Sequence, residues 1–182
     1  LGMFSSCTNF VGNGLDSWNT SSALTNLQAT FKNCRNLTTL NLSSWDVSGV
    51  TTMVELFKGC TNFVGNGLDS WVTSALTNLS NTFNGCVNFN QDLSNWDFSN
   101  VTNMSNFGNN WGMDTNNYDK LLLSLASQTL QPNLTNVRMP SQYTSGEVAN
   151  GVTDSIATNK LIDSTQNFTS TVNVGDVIFN TT

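Results

Sequence analysis

Four cysteines, Cys7, Cys34, Cys60 and Cys86, are the residues best equipped for covalent or metal chemistry, and they are spaced 27, 26 and 26. A four-cysteine zinc site brings its ligands in pairs separated by two to four residues, which this spacing is not. Stacked equivalent positions leave three readings: disulfides between neighbours, a metal, or a column of buried thiols. Each cysteine ends an apolar stripe, and free cysteine is among the most buried residue types, so a buried reduced ladder is the reading adopted. Asp16, Asp69 and Asp92 offer a column of hard oxygen ligands on the outward face, but the bidentate Glu and D-x-D loop of a calcium site are missing. A carboxylate pair drawn from Asp46, Asp69, Asp92 or Asp97 is the minimal equipment of a glycosidase. A recurring Asp is what repeat copying produces, however, and no cleft-forming insertion accompanies it. The expected function is therefore non-enzymatic, with no cofactor and no metal.

The chain of 182 residues contains no histidine, which removes Ser-His-Asp and Cys-His catalysis and every His-containing zinc site. Six cationic against twelve acidic residues give a net charge of −6, too few cations to neutralise a run of phosphates, so nucleic acid is not an expected partner. Charged residues make up 10% of the chain, against roughly 25% in an average soluble domain, with Asn, Ser and Thr filling the deficit, as in secreted and surface proteins. No apolar run approaches the length of a membrane span, and Leu1 to Phe4 lacks the pattern of a signal peptide.

The elements that would position these residues follow from internal repetition. Cys-Thr-Asn-Phe-Val-Gly-Asn-Gly-Leu-Asp-Ser-Trp occurs at Cys7 to Trp18 and again at Cys60 to Trp71, an offset of 53, and half of that is the true period. Trp18, Trp45, Trp71 and Trp96 are spaced 27, 26 and 25, and Phe4, Phe31, Phe57 and Phe83 each precede a Cys by three. Leu37 to Trp45 reads as the LxxLxL of a leucine-rich repeat, whose alternation suits a short strand. Val50, Met53, Leu56, Phe57 and Cys60 follow helical spacing, as do Leu24, Leu27, Phe31 and Cys34, and Leu76, Leu79, Phe83 and Cys86. Ser22, Ser48, Ser74 and Ser99 stand two residues ahead, where N-caps belong. Each repeat thus predicts a strand, a turn and a short helical or 3₁₀ segment. A single repeat buries too little to fold alone, so Cys, Trp, Phe and Leu columns must stack into one core.

Phe89-Asn-Gln-Asp-Leu-Ser-Asn-Trp-Asp-Phe-Ser-Asn-Val-Thr-Asn-Met-Ser-Asn-Phe107 resembles the signature repeat of the BspA-like leucine-rich-repeat surface proteins, and the likeness covers residues 3 to 113. Asn117 to Leu130 is similar to the tail that closes such arrays. The resemblance implies a right-handed solenoid carried by bacterial or protist surface proteins or by phage and other viral reading frames, with adhesion as the usual role and no catalytic motif to transfer. Repeats one and three depart from it, with Val-Gly-Asn-Gly in place of Asn-Gln-Asp.

The fold class expected is an α/β repeat solenoid. Residues 1–113 form about four repeats, 114–130 a capping helix beginning near Asp114, and 131–182 an irregular segment with short β strands. In the last part, Leu161 to Phe168 and Val172 to Phe179 alternate around Gly175-Asp176, weakly similar to small β modules of phage structural proteins. Outward positions, counted from each Trp, include Asp16, Thr39, Asn41, Asp69, Asn90 and Asp92, a small polar face without the Trp, Tyr and Arg anchors of tight interfaces. Glycan or weak multivalent contact suits such a face, and Gly and Asp within it break any regular Thr-x-Thr ladder of an ice-binding surface. The four periodic tryptophans read as core, and Trp111, off that period, as end-packing. Sequons at Asn36, Asn41, Asn78, Asn100 and Asn133 follow from an Asn- and Thr-rich composition.

The expected role is an extracellular or virion-surface module for adhesion, decoration or spacing, with subunits of a larger assembly, or glycan, as partners. A bacterial adhesin binding host protein or glycan is the alternative, and a carbohydrate-active enzyme a remote one. Because Leu1 falls inside a repeat, the sequence reads as a piece of a longer polypeptide that would be marginal or self-associating by itself.

Overall fold

The sequence period is realised as a hydrogen-bond ladder between successive repeats. The computed structural model describes residues 1–38, 40–132 and 134. The amides of Leu27, Ala29, Phe31 and Asn33 donate to the carbonyls of Thr52, Val54, Leu56 and Lys58 at 2.7–3.0 Å. Those of Met53, Glu55, Phe57 and Gly59 donate in turn to Asn78, Ser80, Thr82 and Asn84, and Leu79, Asn81, Phe83 and Gly85 to Asn103, Ser105, Phe107 and Asn109. Parallel bridges join Asn26 to Thr52, Thr52 to Asn78 and Asn78 to Asn103. In an ordinary parallel pair the donors alternate in both directions. Here only Thr51, Thr77, Asn78, Thr102 and Asn103, at the bridges, donate back. The alternate amides from 27 to 33, 53 to 59 and 79 to 85 face the following repeat, while amides between them are held within their own repeat.

They are held by paired β-turns. Thr30 N–H donates to Leu27 O and Cys34 N–H to Phe31 O, and the same two bonds recur at 53–60, 79–86 and 104–111. The third residue of each turn has positive φ: Ala29, Asn33, Glu55, Gly59, Asn81, Gly85, Asn106 and Asn110 lie between 53° and 78°. Asn and Gly tolerate this left-handed region best.

The expected helical segments are thus absent: 24–34, 50–60, 76–86 and 101–107 are turns. Two four-residue turns in succession send the first residue of each inward, which reproduces the i, i+4, i+7 apolar spacing of a helix without its backbone bonds. The LxxLxL half, expected as strand, forms no strand among the described residues. Its one regular piece is a 3₁₀ turn at Leu68–Ser70. The pairing falls in the half expected to be helical, because only there are alternate amides free to face a neighbour. Ser48 and Ser99 cap nothing. Their amides donate to the side chains of Asp46 and Asp97, which form small local turns at 3.0 and 2.9 Å.

The interior is built in columns. Phe31, Phe57 and Phe83 are fully buried and stack with ring centroids 5.5 and 5.7 Å apart. Trp45, Trp71 and Trp96 are 5% exposed or less, and each indole N–H donates to a carbonyl one repeat back, Leu15, Leu42 and Leu68 respectively, at 2.9–3.0 Å. A buried indole needs such a partner, and the stack supplies it once per period.

Helix α1, Thr115–Ser127, follows the last repeat, with the Asp114 side chain accepting the Asn117 amide as N-cap. Tyr118, Leu121, Leu122 and Leu125 form its buried stripe. Polar side chains of the helix take over bonds that another repeat would make. Ser124 donates to Ser94 O, Gln128 to Trp96 O and Gln131, just beyond the helix, to Ser99 O, while Gln128 Oε1 accepts the Phe98 amide. The segment Asp154 to Thr182, expected to hold short strands, lies outside the described residues.

Close approach of neighbouring repeats singles out Gly49, where an added Cβ would lie 1.8 Å from Ser22 O, whereas Gly14, at φ +84°, has open space around it. Gly49→Ala is expected to lower stability by roughly 3 kcal/mol through overpacking. Gly14→Ala should cost only about 1 kcal/mol, from its backbone conformation. Comparing urea midpoints of the two variants checks this ordering.

Candidate functional site

Of the four thiols, Cys34, Cys60 and Cys86 are buried and Cys7 is exposed. The ladder is therefore three rungs deep, because Cys7 belongs to the outermost described repeat and has no described neighbour on that side. Each buried Sγ donates to a phenylalanine carbonyl one repeat back, Cys34 to Phe4, Cys60 to Phe31 and Cys86 to Phe57, at 2.8–2.9 Å. The sulfurs point at carbonyls rather than at one another. Burial pushes the Cys34 thiol up to about 11 and Cys86 to about 12, and raises Cys60 further. These groups are poor nucleophiles and poor ligands, since both roles need the thiolate. Among the described residues no cluster of His, Cys, Asp or Glu is placed to hold a metal ion.

Trp18 corrects a second expectation: it is 40% exposed, at the same outer repeat as Cys7, while stacking on Trp45 at 6.2 Å. Trp111 falls one period after Cys86, in the cysteine column, and is 7% exposed. Gly108, which takes the place of Phe83 one repeat on, makes room for it, since a Cβ there would lie 2.4 Å from the indole. Its ring packs on Phe89 and Phe107, and its indole nitrogen is buried without a hydrogen-bond partner among the described residues.

The outward polar residues divide into two groups. Asp16, Asn41 and Asp69 are exposed. Asn41 accepts the Ser43 amide through its side chain at 3.0 Å, which fixes its direction. Asn90 and Asp92 instead hold α1: Asn90 bonds to Asp114 and Asn117, and Asp92 pairs with Lys120 at 2.9 Å. Thr39 lies outside the described residues. Partial burial works to raise the Asp92 carboxyl, but hydrogen bonds from Ser94 and Lys120 prevail and hold it at about 2.

Two features escaped the sequence reading. Glu55 sits between Lys32 and Lys58, 2.7 Å from each, a bridge across adjacent repeats that lowers its carboxyl pKa, chiefly through the Lys32 and then the Lys58 hydrogen bond. Its signal was an acidic residue one period from a lysine-bearing turn. Gln128, which donates to one backbone group of the fourth repeat and accepts from another, carried no signal at all.

A family model described as Mycoplasma protein of unknown function, DUF285, matches residues 1–120. The chain belongs to this family. No curated protein and no solved structure matches it. The family match covers the stacked repeats and the first six residues of α1, so the columns above are the part of the chain it describes. No described helix is long and apolar enough to cross a membrane.

A thiol-reactive probe should label Cys7 in the folded protein, with Cys34, Cys60 and Cys86 reacting roughly 100-fold more slowly or worse until denaturant is added, without prior reduction. Peptide mapping of the labelled positions checks it. The folded Asp92 pKa lies below its usual 3.8, so its contribution to stability is present above that value and is lost as pH falls toward about 2. Asp92→Asn should flatten that part of the stability-against-pH curve and cost less than about 1 kcal/mol at neutral pH, the pair being partly exposed.

Proposed function

We propose that this chain is a non-enzymatic surface module, a BspA-like leucine-rich-repeat solenoid of the right-handed kind, displayed on a virion or cell as part of a larger protein. The observation that carries the reading is the repetition itself: columns of Phe, Trp and Cys form a continuous core, while Asp16 and Asp69 recur in equivalent exposed places with Asn41 exposed between them. Such an array offers many weak, similar contacts along its length, which suits adhesion, decoration or spacing, with protein subunits or glycan as partners. The low charge and the sequence likeness support the same setting. The family itself is one of unknown function.

The carboxyls of Asp46, Asp92 and Asp97 do not suit the carbohydrate-active alternative. A glycosidase needs one carboxyl kept protonated near neutral pH. Asp46 and Asp97 are held below the usual range by hydrogen bonds from Ser48 and Ser99, and Asp92 at about 2. Burial raises Asp119, but this residue lies on α1, outside the outward face.

Antibody raised against the folded chain should bind intact source cells or purified particles without permeabilisation. Signal that appears only after lysis would overturn the surface reading. Glycan turnover by the purified chain, abolished in Asp92→Asn, would overturn the non-enzymatic one.

A further inference from the structure

The exposed polar edge carries a reaction that needs only water. Asn66 precedes Gly67 in the third repeat, and the pair forms the middle of the turn closed by Leu68 N–H on Gly65 O. The Asn66 side chain is exposed and makes no hydrogen bond to a described residue. Gly67, at φ +84° and ψ 5°, has no Cβ to shield its nitrogen, and its amide donates to no described group. An asparagine side-chain carbonyl followed by a glycine amide that no hydrogen bond holds is the arrangement in which the backbone itself acts as nucleophile, and asparagine is among the thermolabile residues.

We propose that Asn66 is a site of spontaneous deamidation. The Gly67 amide gives its proton to solvent and its nitrogen closes on the Asn66 side-chain carbonyl carbon. The new C–N bond makes a five-membered succinimide while the Cγ–Nδ2 bond breaks and nitrogen leaves as ammonia. Water then adds to either ring carbonyl, giving aspartate or isoaspartate at position 66, with no oxidant or reductant involved. Either product adds a negative charge three residues from Asp69 on the exposed edge. The isoaspartyl branch does more: the chain now runs through the former side chain, and the Asn66 backbone carbonyl that accepts the Leu42 amide at 3.0 Å becomes a free carboxylate.

The chain has three other Asn-Gly pairs; Asn150-Gly151 lies outside the described residues, and the other two make the molecule its own control. At Asn84-Gly85 both reacting groups are held: the Gly85 amide donates to Asn109 O at 2.8 Å and Asn84 Nδ2 donates to Asn81 Oδ1 at 2.9 Å. Asn13-Gly14 lies in the same twelve-residue sequence as Asn66-Gly67, so local sequence makes the two equal. Their surroundings differ, because Gly14 has open space where Gly67 packs against Asn41 and Ser43.

The test is incubation of the full chain at physiological temperature and mildly alkaline pH, folded and in urea, with peptide mapping and enzymatic methylation to count isoaspartate. In the folded protein Asn66 should convert several-fold faster than Asn84. In urea Asn84 should gain relative to Asn66, and Asn13 and Asn66 should react alike. Asn66→Gln, which disfavours the five-membered ring, should remove part of the acidic material that accumulates on isoelectric focusing. Conversion at Asn66 no faster than at Asn84 in the folded chain would overturn the proposal, as would an Asn66-to-Asn84 ratio unchanged by urea.

Discussion

The structure depends on a single constraint: in each repeat, alternate amides must face the next repeat while the amides between them are held at home. The left-handed residues at 29, 33, 55, 59, 81, 85, 106 and 110 enforce it. Each turns the chain so that the next residue's amide closes a local bond, and those from 29 to 85 donate forward through their own amides. Left-handed geometry costs roughly 1–2 kcal/mol at a residue other than glycine, and Ala29 and Glu55 carry that cost without the local side-chain bonds Asn can make. The forward ladder and the buried columns offset it. Outside the ladder there is little regular secondary structure among the described residues, so the side-chain columns and backbone bonds hold each other in register.

The columns explain the chemistry as well. A position that recurs once per period faces the same neighbours each time, so Cys34, Cys60 and Cys86 share one environment and one fate, as inert donors to a carbonyl. The same logic gives the tryptophans their indole partners. Where the column ends, the environment changes: Cys7 and Trp18 have the right register and the wrong surroundings. At the other end, Ser124 of α1 gives Ser94 O the hydroxyl that Ser44 and Ser70 give Asp16 O and Ser43 O within the stack, and Gln128 just past the helix binds the Trp96 carbonyl and the Phe98 amide.

Much of this was legible in the sequence. The period, the core columns, the Asp114 cap and the buried stripe of α1 all follow from residue spacing. The secondary structure within a repeat was not, because paired turns and a helix both place apolar residues three and four apart, and periodicity alone does not separate them. The positive-φ residues at 33, 81, 106 and 110 are all Asn, and those at 59 and 85 are Gly, which is the trace that distinguishes turns from helix. The exposure of Cys7 and Trp18 was hidden because a repeat pattern reports equivalence, not position in the stack. The division of the outward face was hidden too, since nothing in Asn90 or Asp92 announces that α1 will claim them.

The duplicated stretch from Cys7 to Trp18 and Cys60 to Trp71 has a further meaning once the repeats are seen as interchangeable layers. Its offset of 53 spans two whole layers. Excising the span from Asn19 to Trp71 joins Trp18 to Val72 with the Cys, Phe and Trp columns still in register, and duplicating the same span inserts two layers just as cleanly. At about 4.8 Å per layer, either event changes the reach of the molecule by roughly 10 Å without redesigning its interior. The length of such a protein is therefore a quantity its gene can change in whole steps, like links in a chain.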